Sequence, residues 1–182
     1  MLSTREQELI KATKDWIEKV VLGLNLCPFA HLPFQKDLIR YRAIPVELDI
    51  YRYVMQELNH LQDTSKDQLE TTVLILGEEI NFQAYLNLVD NLNVLLEDLD
   101  LEGVIQIATF HPDYQFEGTN EDDITNCTNR SPYPLIHLLR ESSVSEAIDN
   151  HSDVHAIPIL NQEKLIEMGW SAYRKLLQTN LR

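Results

Sequence analysis

Cysteine is scarce: Cys27 and Cys127 are the only two in 182 residues. A disulfide-held secreted scaffold would carry more, whereas a reducing cytosol tolerates free thiols, so no Cys27–Cys127 bridge is expected. No stretch approaches the roughly 18 uninterrupted apolar residues of a membrane span. The opening run, Met1-Leu-Ser-Thr-Arg-Glu-Gln-Glu8, is too charged and polar for a signal peptide, and the expected location is cytoplasmic. Cations are also few, 15 Lys and Arg against 29 Asp and Glu, for a net charge of −14. That field repels a nucleic-acid backbone or an anionic membrane surface, so neither is an expected partner. Five glycines and seven prolines exclude collagen-like and linker-like chains. No GxGxxG, P-loop or GxSxG motif occurs, which disfavours nucleotide binding through those devices and leaves the cofactor undesignated. Cys-x-x-Cys is absent, and His151 and His155 stand in a segment that reads as loop, so no metal site is expected.

What remains is an ordinary soluble balance, 44% apolar and 24% charged, in a chain of one-domain length. The expected organisation is a single domain over 1–182, with a helical segment at 3–24, an α/β core at 38–111, and a loop with C-terminal helices at 112–182. Ser3 and Glu6 have capping-box spacing before an apolar stripe of Leu9, Ala12, Trp16, Val20 and Leu24. Gly23 and Pro28 end that helix. A strand is expected at 38–44, with Arg40 and Arg42 alternating against Ile39, Tyr41 and Ala43. Pro45 stops it, and a helix is expected over 46–61. Thr71–Leu76 reads as a buried strand, and Asn81 caps a helix with a stripe from Phe82 to Leu99. Val104–Phe110, apolar on both sides, reads as a central covered strand. Pro134 should begin a helix through Leu135, Leu138 and Leu139. Ser143 and Glu146 cap another, and the last turns run over 162–177 with Gly169 as a breaker. Helix-length crossovers between strands favour parallel pairing. The expected fold is α/β, a small, mostly parallel three-stranded sheet with βαβ crossovers and additional packed helices. The alternative is α+β with the Arg-bearing strand as an antiparallel edge.

His111 to Ser131 is an aperiodic run of about twenty residues whose aromatics and prolines argue against disorder, and long ordered loops are usually functional. In parallel sheets ligands gather beyond the strands' carboxyl ends, where His111 stands. His111 has the chemistry of a general base and Asp113 that of its orienter. Asn129 and Arg130 supply amide and guanidinium donors suited to a carboxylate or phosphate. Against this, a His-Pro-Asp turn also serves as a strand exit whose polar groups satisfy nearby backbone, and Arg130 could equally form a structural ion pair. Cys27, beside Pro28, is either a thiol activated at a helix start or a buried hydrophobe. Arg40 enters because a cationic strand face is unusual in so acidic a chain.

Three long words, Trp16-Ile with Val21-Leu-Gly-Leu-Asn-Leu-Cys-Pro-Phe-Ala30, Gly103–Phe116, and Thr128–Pro134 with His137-Leu-Leu-Arg-Glu141, resemble a bacterial family known as domain of unknown function 1415. The resemblance runs over nearly the whole chain and implies a bacterial, single-domain, cytoplasmic protein; it implies no activity. Its words contain Cys27, His111, Asp113, Tyr114, Asn129, Arg130 and Tyr133. Two expectations arise. In the first, an enzyme acts on a small anionic metabolite: His111 moves the proton, Asp113 orients it, Cys27 is a nucleophile, and Arg130, Asn129, Tyr114, Tyr133 and Arg40 bind substrate. In the second, a non-catalytic ligand-sensing or interaction module uses Tyr114, Phe116 and Tyr133 as anchors. The oligomeric state is not legible in the sequence.

Overall fold

Ser3 opens α1 (Thr4–Trp16) as a full capping box: its hydroxyl accepts from the Glu6 N–H at 3.2 Å, and the Glu6 carboxylate accepts from the Ser3 N–H at 2.7 Å. The structure is a computed structural model that describes residues 2–44, 49–77, 79–150 and 153–178. The helix widens into a π-helical stretch, Ile17–Leu22, whose wider spacing shows in Leu26 N–H donating to Val21 C=O at 2.8 Å. A Cβ at residue 23 would stand 2.2 Å from the Lys19 carbonyl oxygen, so only glycine fits there. A short turn (Pro28–Ala30) and α2 (His31–Gln35) lead to β1 (Ile39–Ile44). Then come α3 (Ile50–Asp63), β2 (Thr71–Leu76), α4 (Phe82–Asp98), β3 (Ile105–Phe110), a 3-10 turn (Ile124–Thr128), β4 (Leu135–Arg140), α5 (Glu141–Asp149) and α6 (Ala156–Gln178). The expected start of α3 at 46–48 lies outside the described residues; the helix as seen is capped by Asp49, which accepts from the Tyr51 N–H at 3.1 Å. Gly169, at φ 69°, breaks α6 as its sequence suggested.

Two expectations about the sheet are corrected. The segment after Pro134 is a strand, not a helix. Leu135, Ile136, Leu138 and Leu139 satisfy helical spacing, but a short apolar run satisfies a strand buried on both faces equally well, and tertiary pairing decides. The sheet is therefore mixed and four-stranded, ordered β1-β2-β4-β3. β1 and β2 pair in parallel, while β4 is antiparallel to both β2 and β3. Consequently β3 is an edge strand rather than the central one, and five of its six residues keep accessible surface.

Strand alternation sends two apolar sets to opposite faces. Ile44, Leu74, Leu76, Ile136, Leu138 and Ile105 pack against the stripes of α3 and α4. Ile39, Ala43, Val73, Ile75 and Leu135 pack against Leu9, Trp16 and Val20 of the first helical stretch and Leu165 and Tyr173 of α6. Two polar side chains pin the first layer. Arg140 donates to the carbonyls of Leu61, Thr64 (2.6 Å) and Leu69 (3.1 Å), capping the end of α3. Tyr85, fully buried, donates to the Leu135 carbonyl at 2.6 Å and accepts from the Phe110 N–H at 3.1 Å, where β3 and β4 part. No helix among the described residues is long and apolar enough to cross a membrane.

Candidate functional site

The loop leaving β3 is braced almost wholly by its own polar groups. His111 is 1% exposed, and its ring packs against Phe82 and Tyr85 at 5.3 and 5.0 Å. Its Nδ1 accepts from the Asp113 N–H at 3.0 Å, which leaves Nε2 to donate to the Ile80 carbonyl at 2.8 Å. Both ring nitrogens of one neutral tautomer are thus taken by main chain. Asp113 orients the ring with its backbone amide, not its carboxylate, and its side chain is exposed. Arg130 donates to the carbonyls of Tyr114 (3.0 Å) and Glu121 (2.8 Å). Asn129 donates to the Thr109 carbonyl at 3.1 Å. Asn126, which sequence reasoning passed over, is fully buried: it accepts from the Phe116 N–H and the Thr119 hydroxyl and donates to the Asn120 carbonyl. Tyr114 meets Phe82 at a tilt at 5.2 Å and Phe116 edge-on at 5.0 Å, and Tyr133 carries the Arg5 guanidinium at 5.6 Å.

Of the residues singled out from sequence, His111, Asp113, Tyr114, Asn129 and Arg130 come together in this loop. Cys27 and Arg40 do not join it: among the described residues no hydrogen bond, ion pair or ring contact links either to His111 or Arg130. Cys27 caps the Pro28–Ala30 turn, and burial pushes its thiol pKa up, opposed by the backbone N–H groups of Phe29 and Ala30. That is the opposite of an activated nucleophile. Arg40 is held in a fork on the α3 side, Nε to Glu57 Oε2 at 2.7 Å and Nη2 to Oε1 at 3.3 Å, with Glu57 itself 3% exposed. Arg42 Nε stands 3.6 Å from the same carboxylate and has no hydrogen-bond partner among the described residues, so Glu57 answers Arg40 fully and Arg42 by charge alone.

On the opposite face of the sheet other polar groups are left over. His137 of β4 lies between Val73 of β2 and Ala108 of β3. Its Nε2 is 2.7 Å from the Thr71 hydroxyl, which donates its own proton to the Leu138 carbonyl at 2.5 Å. The hydroxyl can therefore only accept, so Nε2 carries the hydrogen and Nδ1 the lone pair. No partner for Nδ1 occurs among the described residues. Burial pushes the ring's pKa down to about 4, so it is neutral near pH 7. Yet His137 and Leu139, on an interior strand, keep accessible surface, as do their β3 partners Ala108 and Gln106, so the helices leave this stretch of sheet partly open. Phe110 lies 6.3 Å from the His137 ring, and Trp16 meets Phe110 edge-on at 5.4 Å. Trp16 is 6% exposed, and its indole N–H has no hydrogen-bond partner among the described residues. The sequence displayed Trp16 in an apolar stripe; only the register of β4 sets His137 near Phe110, which Trp16 also meets.

Among the described residues no group of three His, Cys, Asp or Glu side chains is placed to hold a metal ion; His151 lies outside them. A cleft of about 280 Å³ opens by the edge of β3, with Glu97, Glu102 and Glu141 in its wall.

Comparison with known families gives one match, to the family described as protein of unknown function (DUF1415), over residues 8–175. The chain belongs to this family. No curated protein and no solved structure matches it. The DUF1415 match spans both the braced loop and the partly open face, from α1 into the last turns of α6.

Proposed function

We propose that this DUF1415 protein is a non-catalytic binding module for a small molecule, held on the partly open face of the sheet at His137, Phe110 and Trp16. One contrast carries the reading. The loop residues with catalytic chemistry, His111 and Arg130, spend polar atoms on main-chain partners, whereas among the described residues His137 bonds through Nε2 alone and the buried Trp16 Nε1 has no hydrogen-bond partner. A histidine with both nitrogens engaged offers no lone pair to a proton in transit, which removes the support for His111 as a base. A thiol with a raised pKa likewise gives no support to Cys27 as a nucleophile. The carboxylates around the β3-edge cleft repel an anionic metabolite there.

A thermal-shift screen of uncharged and charged fragments tests the reading. A ligand at one hundred times its dissociation constant stabilises by about 2.7 kcal/mol, a rise of roughly 5–11 °C for a chain of this size. The shift should vanish in His137→Asn and persist in Arg130→Lys. A shift lost in Arg130→Lys and kept in His137→Asn would return the site to the loop and sink the proposal.

A further inference from the structure

We propose that the open edge of β3 docks an extended basic peptide, which adds a strand to the sheet and sets its Lys or Arg side chains against Glu97, Glu102 and Glu141. Register fixes which main-chain groups are on offer. The Glu141 N–H donates to the Val104 carbonyl at 2.9 Å, and the Tyr85 hydroxyl bridges the Phe110 N–H to the Leu135 carbonyl. Residues 104, 106, 108 and 110 therefore turn their main chain toward β4, and residues 105, 107 and 109 turn theirs away. Of the outward groups, the Ile105 N–H donates to the Leu101 carbonyl and the Thr109 carbonyl accepts from Asn129. The Ile107 N–H and C=O and the Thr109 N–H have no partner among the described residues. A donor and an acceptor on one residue of a sheet edge are answered together by the main chain of another strand.

This edge lacks the usual guards. Natural edge strands discourage pairing with lysine, proline or an inward charge. The other edge strand, β1, carries Arg40 and Arg42, whereas Ile105-Gln-Ile-Ala-Thr-Phe110 has neither charge nor proline. The cleft of about 280 Å³ is lined by Ile105 and Ile107 as well as by Leu96 and the three glutamates, so the edge and the carboxylates share one hollow. None of the three glutamates is in an ion pair among the described residues. Arg140, beside Glu141, is spent on the carbonyls that end α3. Carboxylates without counter-charges beside an apolar strand select a cationic chain. A second copy of this protein is another source of main chain, but two chains of net charge −14 repel each other.

The probe is acetyl-Lys-Val-Lys-Val-Lys-Val-Lys-amide, titrated into ¹⁵N-labelled protein. Three variants of it accompany the titration: one N-methylated at its valines, one N-methylated at its lysines, and one with glutamate for every lysine. Alternate N–H groups of an extended strand face the same side, so one methylated frame loses its bonds to β3 and the other keeps them. The expected result is that the lysine peptide shifts the Ile107 and Thr109 amides more than those of β2. Methylating one frame should weaken binding about tenfold, methylating the other should leave it within about twofold, and the glutamate peptide should not bind. No binding of the lysine peptide, equal effects of the two methylated frames, or shifts away from β3 overturn the added strand. Equal binding of the glutamate peptide overturns the basic partner. Slow exchange of the Ile107 and Thr109 amides in a dimer of the protein alone gives the edge to a second copy, and the proposal falls.

Discussion

Lowering the pH from 6.5 toward 4 should place a proton on His137 in the unfolded chain before it does so in the folded one. The folded ring's pKa is pushed down to about 4 by burial, from an ordinary 6.5. Between these values the unfolded state binds more protons, so stability rises with pH across the window; it is fully present above 6.5 and is lost as pH falls toward 4. The difference of 2.5 units sets a ceiling of about 3 kcal/mol at 1.36 kcal/mol per unit. Because His137 as a residue is not fully buried, water screens part of that, and about 1.5 kcal/mol is the expected loss. Carboxylates also titrate near the lower end of the window, so the effect must be read as a difference. Urea unfolding of wild type and His137→Asn, from pH 4.5 to 7.5, isolates it, since asparagine keeps an N–H for the Thr71 hydroxyl and has no proton to gain. The stability gap between the two should narrow by about 1.5 kcal/mol on acidification. Parallel curves, or a folded-state ring titration at or above 6.5, would refute the account of why this imidazole is neutral.

Arg140→Ala removes the donors to three carbonyls at the end of α3 and should cost about 2–3 kcal/mol, a fall of roughly 4–12 °C in melting temperature by calorimetry. Tyr85→Phe leaves the Phe110 N–H and the Leu135 C=O unpaired in a fully buried position; urea unfolding should show a loss of about 1–3 kcal/mol. Asn126→Ala cuts three bonds inside the 111–131 loop, so hydrogen exchange at the Phe116 amide should accelerate more than at the β2 amides, and equal acceleration would show that the loop does not depend on this side chain.

The parts of the fold legible in the sequence are those set by neighbours a few positions away. Ser3 with Glu6 and Asn81 with Ala84 build their caps from groups three residues apart, and both helices start where those residues stand. Thr71–Leu76 is buried at every position, which a continuous apolar run announces without help from partners. β4 is different. Leu135-Ile-His-Leu-Leu is compatible with either period, and what decides is pairing with Thr71–Ile75, 60 to 68 residues earlier. The role of His111 is illegible for a related reason. Sequence shows an imidazole at a strand end, but whether it is a base or a brace depends on the Ile80 carbonyl, thirty-one residues upstream. The reading of the His-Pro-Asp turn as a strand exit that satisfies nearby backbone matches the bonds found; the choice between it and a catalytic role had no local signal.

Inserting β4 between β2 and β3 also explains where uncommitted chemistry is left. Pairing of Phe110 with Leu135 means that 24 residues, 111–134, reverse the chain where a tight hairpin would use about 2–5. A connection that long is ordered only if its backbone groups find partners, and the polar side chains near at hand are mostly its own, His111, Asn126, Asn129 and Arg130, with Trp170 of α6 donating to the Asp122 carbonyl at 3.0 Å. Each donor spent on a carbonyl holds the loop and is withdrawn from any ligand. The inserted strand, by contrast, takes its order from ladder bonds on both sides and leaves its side chains free to differ. Its apolar members fill the two cores, and His137, tied by one nitrogen to Thr71, keeps the other in reserve. A search for this family's chemistry guided by the length of the loop would therefore be aimed at an imidazole, amides and a guanidinium already bonded to main chain, and the strand that the loop delivers is the better target.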